Sequence, residues 1–87
     1  MKKNFSEFNK LLGGYLMEAR NAADVSLSSA AYKVGISRQR LFNYENGERA
    51  MPMNIFIHLC ELYDLDYLEV FKKAHEKLAE KLSKNKK

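Results

Sequence analysis

Arg38, Gln39, Arg40 and Asn43 lie together in the stretch SRQRLFN, and their side chains carry hydrogen-bond groups able to tell base pairs apart. An arginine can offer two donors to O6 and N7 of guanine. An amide side chain can accept one bond from adenine N6 and donate another to N7. Phe42, in the same run, can meet a thymine methyl, or it can be a partly buried core residue or one packed on its own helix. The plainer alternative for Arg38 and Arg40 is a solvated helix face. Catalytic chemistry finds no comparable foothold. There is no metal cluster, no Gly-rich phosphate loop and no nucleophile and base with a third orienting group, so no enzyme, cofactor, metal or small-molecule ligand is expected. His58 and His75 have no second ligand at metal spacing and read as helix-face residues.

For Arg38, Gln39 and Asn43 to point outward together, the segment must be a helix held against something. Apolar residues recur every three or four positions through most of the chain, and no alternating strand-like run appears, so the expected fold is all-α. Ser26 can cap a second helix at 27–34, Gly35 can end it in the left-handed backbone, Ile36 can turn back to the core, and Ser37 can cap a third helix at 38–45. Within LSSAAYKVGISRQRLFNYEN, Ala31 is small enough for two helices to meet. Val34, Ile36, Leu41 and Tyr44 are apolar at the spacing that fastens the later helix to the earlier one.

A first helix is expected from Ser6 to Ala23, with Phe8, Leu12, Tyr15 or Leu16, and Ala19 inward. Gly13 and Gly14 weaken it by about 1 kcal/mol each, a cost compensated if their smooth surface lets a neighbouring helix approach. Pro52 suits the first turn of a fourth helix, in which Ile55 or Phe56, Leu59, Cys60 and Leu62 or Tyr63 form the apolar stripe. Asp66 and Glu69 have the capping-box pattern for a fifth helix, from Tyr67 toward Leu82. Residues 1–82 then make one domain, and residues 83–87 a basic disordered tail.

These residues resemble the Cro/repressor, or xenobiotic-response-element, family of helix-turn-helix proteins. The similarity runs from about Gly14 to Phe71 and rests on Ala31, Gly35, Ile36 and Leu41 and on the ending Tyr44-Glu45-Asn46-Gly47. The resemblance implies a five-helix, lambda-repressor-like DNA-binding domain, with a helix-turn-helix at 27–46 and helix 38–45 in the major groove. It implies base contacts from Arg38, Gln39 and Asn43, with Phe42 beside them, and a phosphate contact from Arg40. Ser37 and Arg49 are expected to reach phosphates as well. Relatives often start the second helix with a DNA-touching glutamine. Here Leu27 stands in that place, and the contact either falls to Ser26, Ser28 or backbone N–H groups or is absent. Arg20 and Glu45 resemble a family pair that locks the first helix to the end of the reading helix.

Charge is compatible with a polyanionic partner. The net charge is +4 over 87 residues, distributed as +3 over residues 1–50, −4 over 51–71 and +5 over 72–87. That pattern allows one basic face and one acidic face. With the single Cys60 and no signal peptide or transmembrane run, the chain reads as cytoplasmic. The expectation is therefore double-stranded DNA as partner and a transcriptional regulator, with repression favoured over activation. A protein-interaction module such as an antitoxin or inhibitor is the alternative. The apolar strip Tyr67, Phe71, Ala74 or His75, Leu78 and Leu82 continues past the family resemblance. It is expected to pair two subunits, or else to fold back where Phe5 and Phe8 could receive it.

Overall fold

The computed structural model describes residues 2–85, with side chains over 6–83. Five helices follow one another: α1 (Lys2–Ala22), α2 (Leu27–Val34), α3 (Arg38–Glu45), α4 (Met53–Leu62) and α5 (Tyr67–Asn85). Among the described residues there is no strand.

The connectors reuse one local device. The N–H of Val25, Ile36, Glu48 and Leu65 donates to the carbonyl five residues back, that of Arg20, Ala31, Asn43 and Cys60, at 2.7–3.1 Å. In each case the intervening residue is left-handed: Asp24, Gly35, Gly47 and Asp64. This closure satisfies carbonyls that a helix end leaves open. Three of the four connectors then place an apolar residue against the core, Val25, Ile36 or Leu65, followed at once by a capping residue. Ser26 accepts from Ser29 N and Ser37 from Arg40 N, both at 3.0 Å. Asp66 Oδ1 accepts from Leu68 N at 3.0 Å, while Glu69 places a negative charge in the first turn of α5. Pro52 sits one residue outside α4, as its cap.

Leu16, Leu41, Phe56, Leu59 and Cys60 are the largest fully buried side chains. Burial resolves the open choices in the stripes: Leu16 rather than Tyr15 in α1, Phe56 rather than Ile55 in α4, and Tyr63, just past the end of α4, rather than Leu62. Burial pushes the Cys60 thiol up to about 11, so it stays protonated and inert at neutral pH and serves packing.

The two adjacent glycines of α1 do different things. A Cβ on Gly13 would stand 2.2 Å from the carbonyl oxygen of Tyr44 and 2.7 Å from that of Glu45, whereas one on Gly14 would meet nothing within 4 Å. The close approach is thus confined to Gly13, where α1 lies on the last turn of α3. Replacing Gly13 by Ala is expected to destabilise by about 1–3 kcal/mol, because the clash is with backbone and outweighs the gain in helix propensity. Gly14→Ala is expected to stabilise by up to about 1 kcal/mol. Urea denaturation of the two variants checks this, and shifts of the same sign would refute it.

The C-terminal helix takes the fold-back alternative, and it departs from expectation in its buried stripe and in its length. It folds back antiparallel along α1, with Phe8 and Phe71 edge to face at a centroid distance of 5.3 Å and Lys81 Nζ donating to Glu7 Oε2 at 2.6 Å. Its buried stripe is Val70 and Ala74, with Leu78 half-buried, while Tyr67, Phe71 and Leu82 remain exposed. Phe5 lies outside the residues whose side chains are described. The helix also runs on through Ser83, Lys84 and Asn85, past the expected end near Leu82. Three more polar residues can stay helical on the end of a helix already nucleated and anchored by packing.

Candidate nucleic-acid interface

Outward from the α2–α3 pair, Arg38, Gln39 and Arg40 are exposed, Asn43 is half-buried and Phe42 is 46% exposed. Two α3 side chains face the core, Leu41 and Tyr44, as the spacing requires. Gln39 Nε2 donates to Asn43 Oδ1 at 3.1 Å, one helical turn on. That bond leaves the Gln39 oxygen free to accept and the Asn43 amide nitrogen free to donate. The two residues together thus present the acceptor and donor pair that an adenine edge needs.

Ser37, Gln39, Arg40, Asn43 and Arg49 line a shallow depression of about 200 Å³. Arg49 therefore stands next to the start of α3, although it lies nine positions after Arg40 in the chain. The left-handed Gly47 makes this return possible, and it lies so close to Lys10 of α1 that a Cβ there would overlap it. Two guanidinium groups and a hydroxyl beside two amides suit a phosphate flanking a base. Ser26 and Ser37 spend their oxygens as acceptors on their own helices, and each hydroxyl hydrogen remains available as a donor. Ser28 is exposed in the first turn of α2, and Leu27 is half-buried against the core. Leu27 thus packs inward, leaving the N-terminus of α2 to Ser26 and Ser28.

Behind this surface, Arg20 and Glu45 meet in a two-pronged ion pair. Arg20 Nε donates to Glu45 Oε2 at 2.7 Å and Nη2 to Oε1 at 3.1 Å. The third nitrogen, Nη1, donates to the carbonyl of Val25 at 2.9 Å. That partner had no sequence signal, because it depends on how the α1–α2 connector folds. The side chains are 12% and 3% exposed, and the bond to Glu45 holds the guanidinium above its usual range. The arrangement ties the end of α3 to α1 and to the residue before the α2 cap.

Tyr63 completes this buried corner. Its hydroxyl is buried without a hydrogen-bond partner, and burial first, then the Glu45 carboxylate, pushes the phenol up to about 12. An orphaned buried hydroxyl costs about 1–3 kcal/mol, so Tyr63→Phe is expected to leave stability unchanged or raise it by about 1 kcal/mol. A loss of more than that on thermal unfolding would show that the hydroxyl is satisfied in solution.

Among the described residues, no group of His, Cys, Asp and Glu could hold a metal ion, and no helix is long and apolar enough to cross a membrane.

The short α2, the Gly35 turn and the polar-faced α3 make up a helix-turn-helix unit. The chain belongs to the family described as a helix-turn-helix domain, which matches residues 11–70. It is 36% identical over 55 residues to a candidate HTH-type transcriptional regulatory protein of Thermococcus kodakarensis, covering 63% of this chain and 17% of that protein. A similarly described protein of Methanococcoides burtonii is 36% identical over 53 residues, 61% of this chain and 16% of its own length. The chain therefore spans about one sixth of the length of these relatives. Among solved structures, the clp gene regulator ClgR from Corynebacterium glutamicum superposes with a TM-score of 0.77 at 19% identity, covering 88% of this chain and 82% of that one. This likeness is one of fold.

Proposed function

We propose that the chain is a sequence-specific double-stranded DNA-binding regulator of transcription, of the Cro/repressor type, with α3 in the major groove. The observation that carries this reading is the single surface shared by Ser37, Gln39, Arg40, Asn43 and Arg49, with Arg38 exposed beside it. Amides of a kind able to read bases stand there beside guanidinium groups of a kind able to hold phosphates. The relatives described as transcriptional regulators support the same function. Arg38, Gln39 and Asn43 read bases, Phe42 meets a thymine methyl, and Ser26, Ser28, Ser37, Arg40 and Arg49 hold phosphates. Repression is the mode proposed, since occupying a site is enough to block its use. The location proposed is the cytoplasm, where Cys60 stays a free thiol.

One short helix reads too few base pairs for useful selectivity, and paired subunits on half-sites about one helical turn apart correct this. A symmetric dimer is therefore part of the proposal. Selection of bound duplexes from a random pool tests the reading. A defined inverted repeat is the expected result. Binding that selects no sequence, or no binding at low salt, would overturn it and leave the protein-interaction module as the better account.

A further inference from the structure

Positive charge continues from the α2–α3 surface onto α1. A Cβ on Gly47 would stand 2.6 Å from Lys10 Cγ and 2.7 Å from its N and Cα, so the Lys10 stem lies on the turn that leads, two positions later, to Arg49. Arg49 lines the depression together with Gln39, Arg40 and Asn43. Lys10 is exposed, and among the described residues neither it nor Arg49 makes an ion pair within the chain.

The folding back of α5 brings in a second lysine. Glu7 stands three positions before Lys10, on the same face of α1, and accepts from Lys81 Nζ at 2.6 Å. The bond from Lys81 first, with the charges of Lys81 and Lys10 adding to it, holds the Glu7 carboxyl below its usual range. Glu7 is therefore ionised at neutral pH and offsets only one of the two lysines beside it. Along this path four cations, Arg40, Arg49, Lys10 and Lys81, stand with two carboxylates, Glu7 and Glu48. Glu7, Lys10 and Lys81 all lie outside residues 11–70, which match the helix-turn-helix family. Their charge is an addition to that unit rather than a part of it.

We infer that Lys10 and Lys81 bind phosphates, so that DNA held on α3 also lays its backbone along a basic track from Arg49, over Gly47, to the α1–α5 pair. The inference rests on the DNA reading of the proposed function and lengthens the stretch of backbone held.

Titration of labelled duplexes at several salt concentrations tests it on the full chain, with helical content checked for every variant. The Lys81–Glu7 pair is open to water, at 49% and 34% side-chain exposure, so breaking it leaves the fold intact. Glutamine at position 10 keeps the Cγ that lies on Gly47. Lys10→Gln with Lys81→Gln should lower the slope of affinity against salt by about two phosphates, which shrinks the gain in affinity between about 200 and 50 mM salt roughly tenfold. The preferred sequence should not change. Lys10→Arg should keep the parent's slope. Glu7→Gln acts in the opposite direction, since it removes a carboxylate from the track, and should tighten binding to every duplex about threefold at low salt. A double lysine variant with the parent's slope, or a Glu7→Gln variant that binds no more tightly than the parent, would overturn the track. If Arg49→Ala lowers the slope and the lysine variants do not, the inference fails alone. If the parent binds no duplex, or Arg40→Ala and Arg49→Ala also leave the slope unchanged, the DNA reading fails with it.

Discussion

Replacing Arg20 by Ala is expected to destabilise the protein by about 3–5 kcal/mol, because it strands the Glu45 carboxylate in a site where that side chain is 3% exposed. The same change removes the donor to Val25 O. Glu45→Ala is expected to cost somewhat less. Arg20 keeps the Val25 carbonyl and, at 12% exposure, has a shorter way to water along its flexible stem. Replacing both with apolar residues of similar volume should be much milder than the sum of the singles, since two well-packed side chains avoid the desolvation cost of a buried pair. A double-mutant cycle by urea denaturation measures this, and a coupling energy near zero would refute the pair as a lock. The effect should reach the interface too. Glu45 is the last residue of α3, and Gly13 of α1 packs against the same turn, so loosening it frees the reading helix to shift.

The second large effect is expected in DNA binding. At the selected site, Arg38→Ala, Gln39→Ala and Asn43→Ala should each weaken binding by about 1–3 kcal/mol, while binding to unrelated duplex changes far less. Gln39 and Asn43 should not behave independently. Their mutual bond orients both amides, so losing either disorders the other, and the double variant should cost less than the two singles added together. Arg40→Ala and Arg49→Ala should instead weaken all sequences alike and lower the slope of affinity against salt by about one phosphate each. Titration of labelled duplexes at several salt concentrations separates the two classes. A triple variant at 38, 39 and 43 that kept the parent's affinity and preferred sequence would show that α3 is not the reader.

The boundaries of α2 and α3 were legible residue by residue because each signal acts within about five positions. Ser26 and Ser37 bond the N–H three residues ahead, and the Ile36 N–H reaches only back to Ala31. Gly35 needs nothing beyond its own φ of +76°. The polar outer face of α3 followed from the same local spacing. The core stripe of α4 was legible to within one residue, since Ile55 and Phe56, or Leu62 and Tyr63, differ by only about 100° around a helix.

What lies beyond local reach was decided by tertiary contact. Gly13 and Gly14 are alike in sequence, and only the carbonyls of Tyr44 and Glu45, more than thirty residues away, distinguish them. The same holds for the return of Arg49 to the start of α3, for the bond from Arg20 to Val25 O, and for the orphaned Tyr63 hydroxyl. In α5 the pattern of apolar residues is broad enough to offer two faces. The position of α1 selected Val70 and Ala74 for burial, half-buried Leu78, and left Leu68, Phe71 and Leu82 exposed. Periodicity records that a helix has apolar surface. Which part of that surface is covered depends on the orientation of a second helix, set by side chains far apart in the chain.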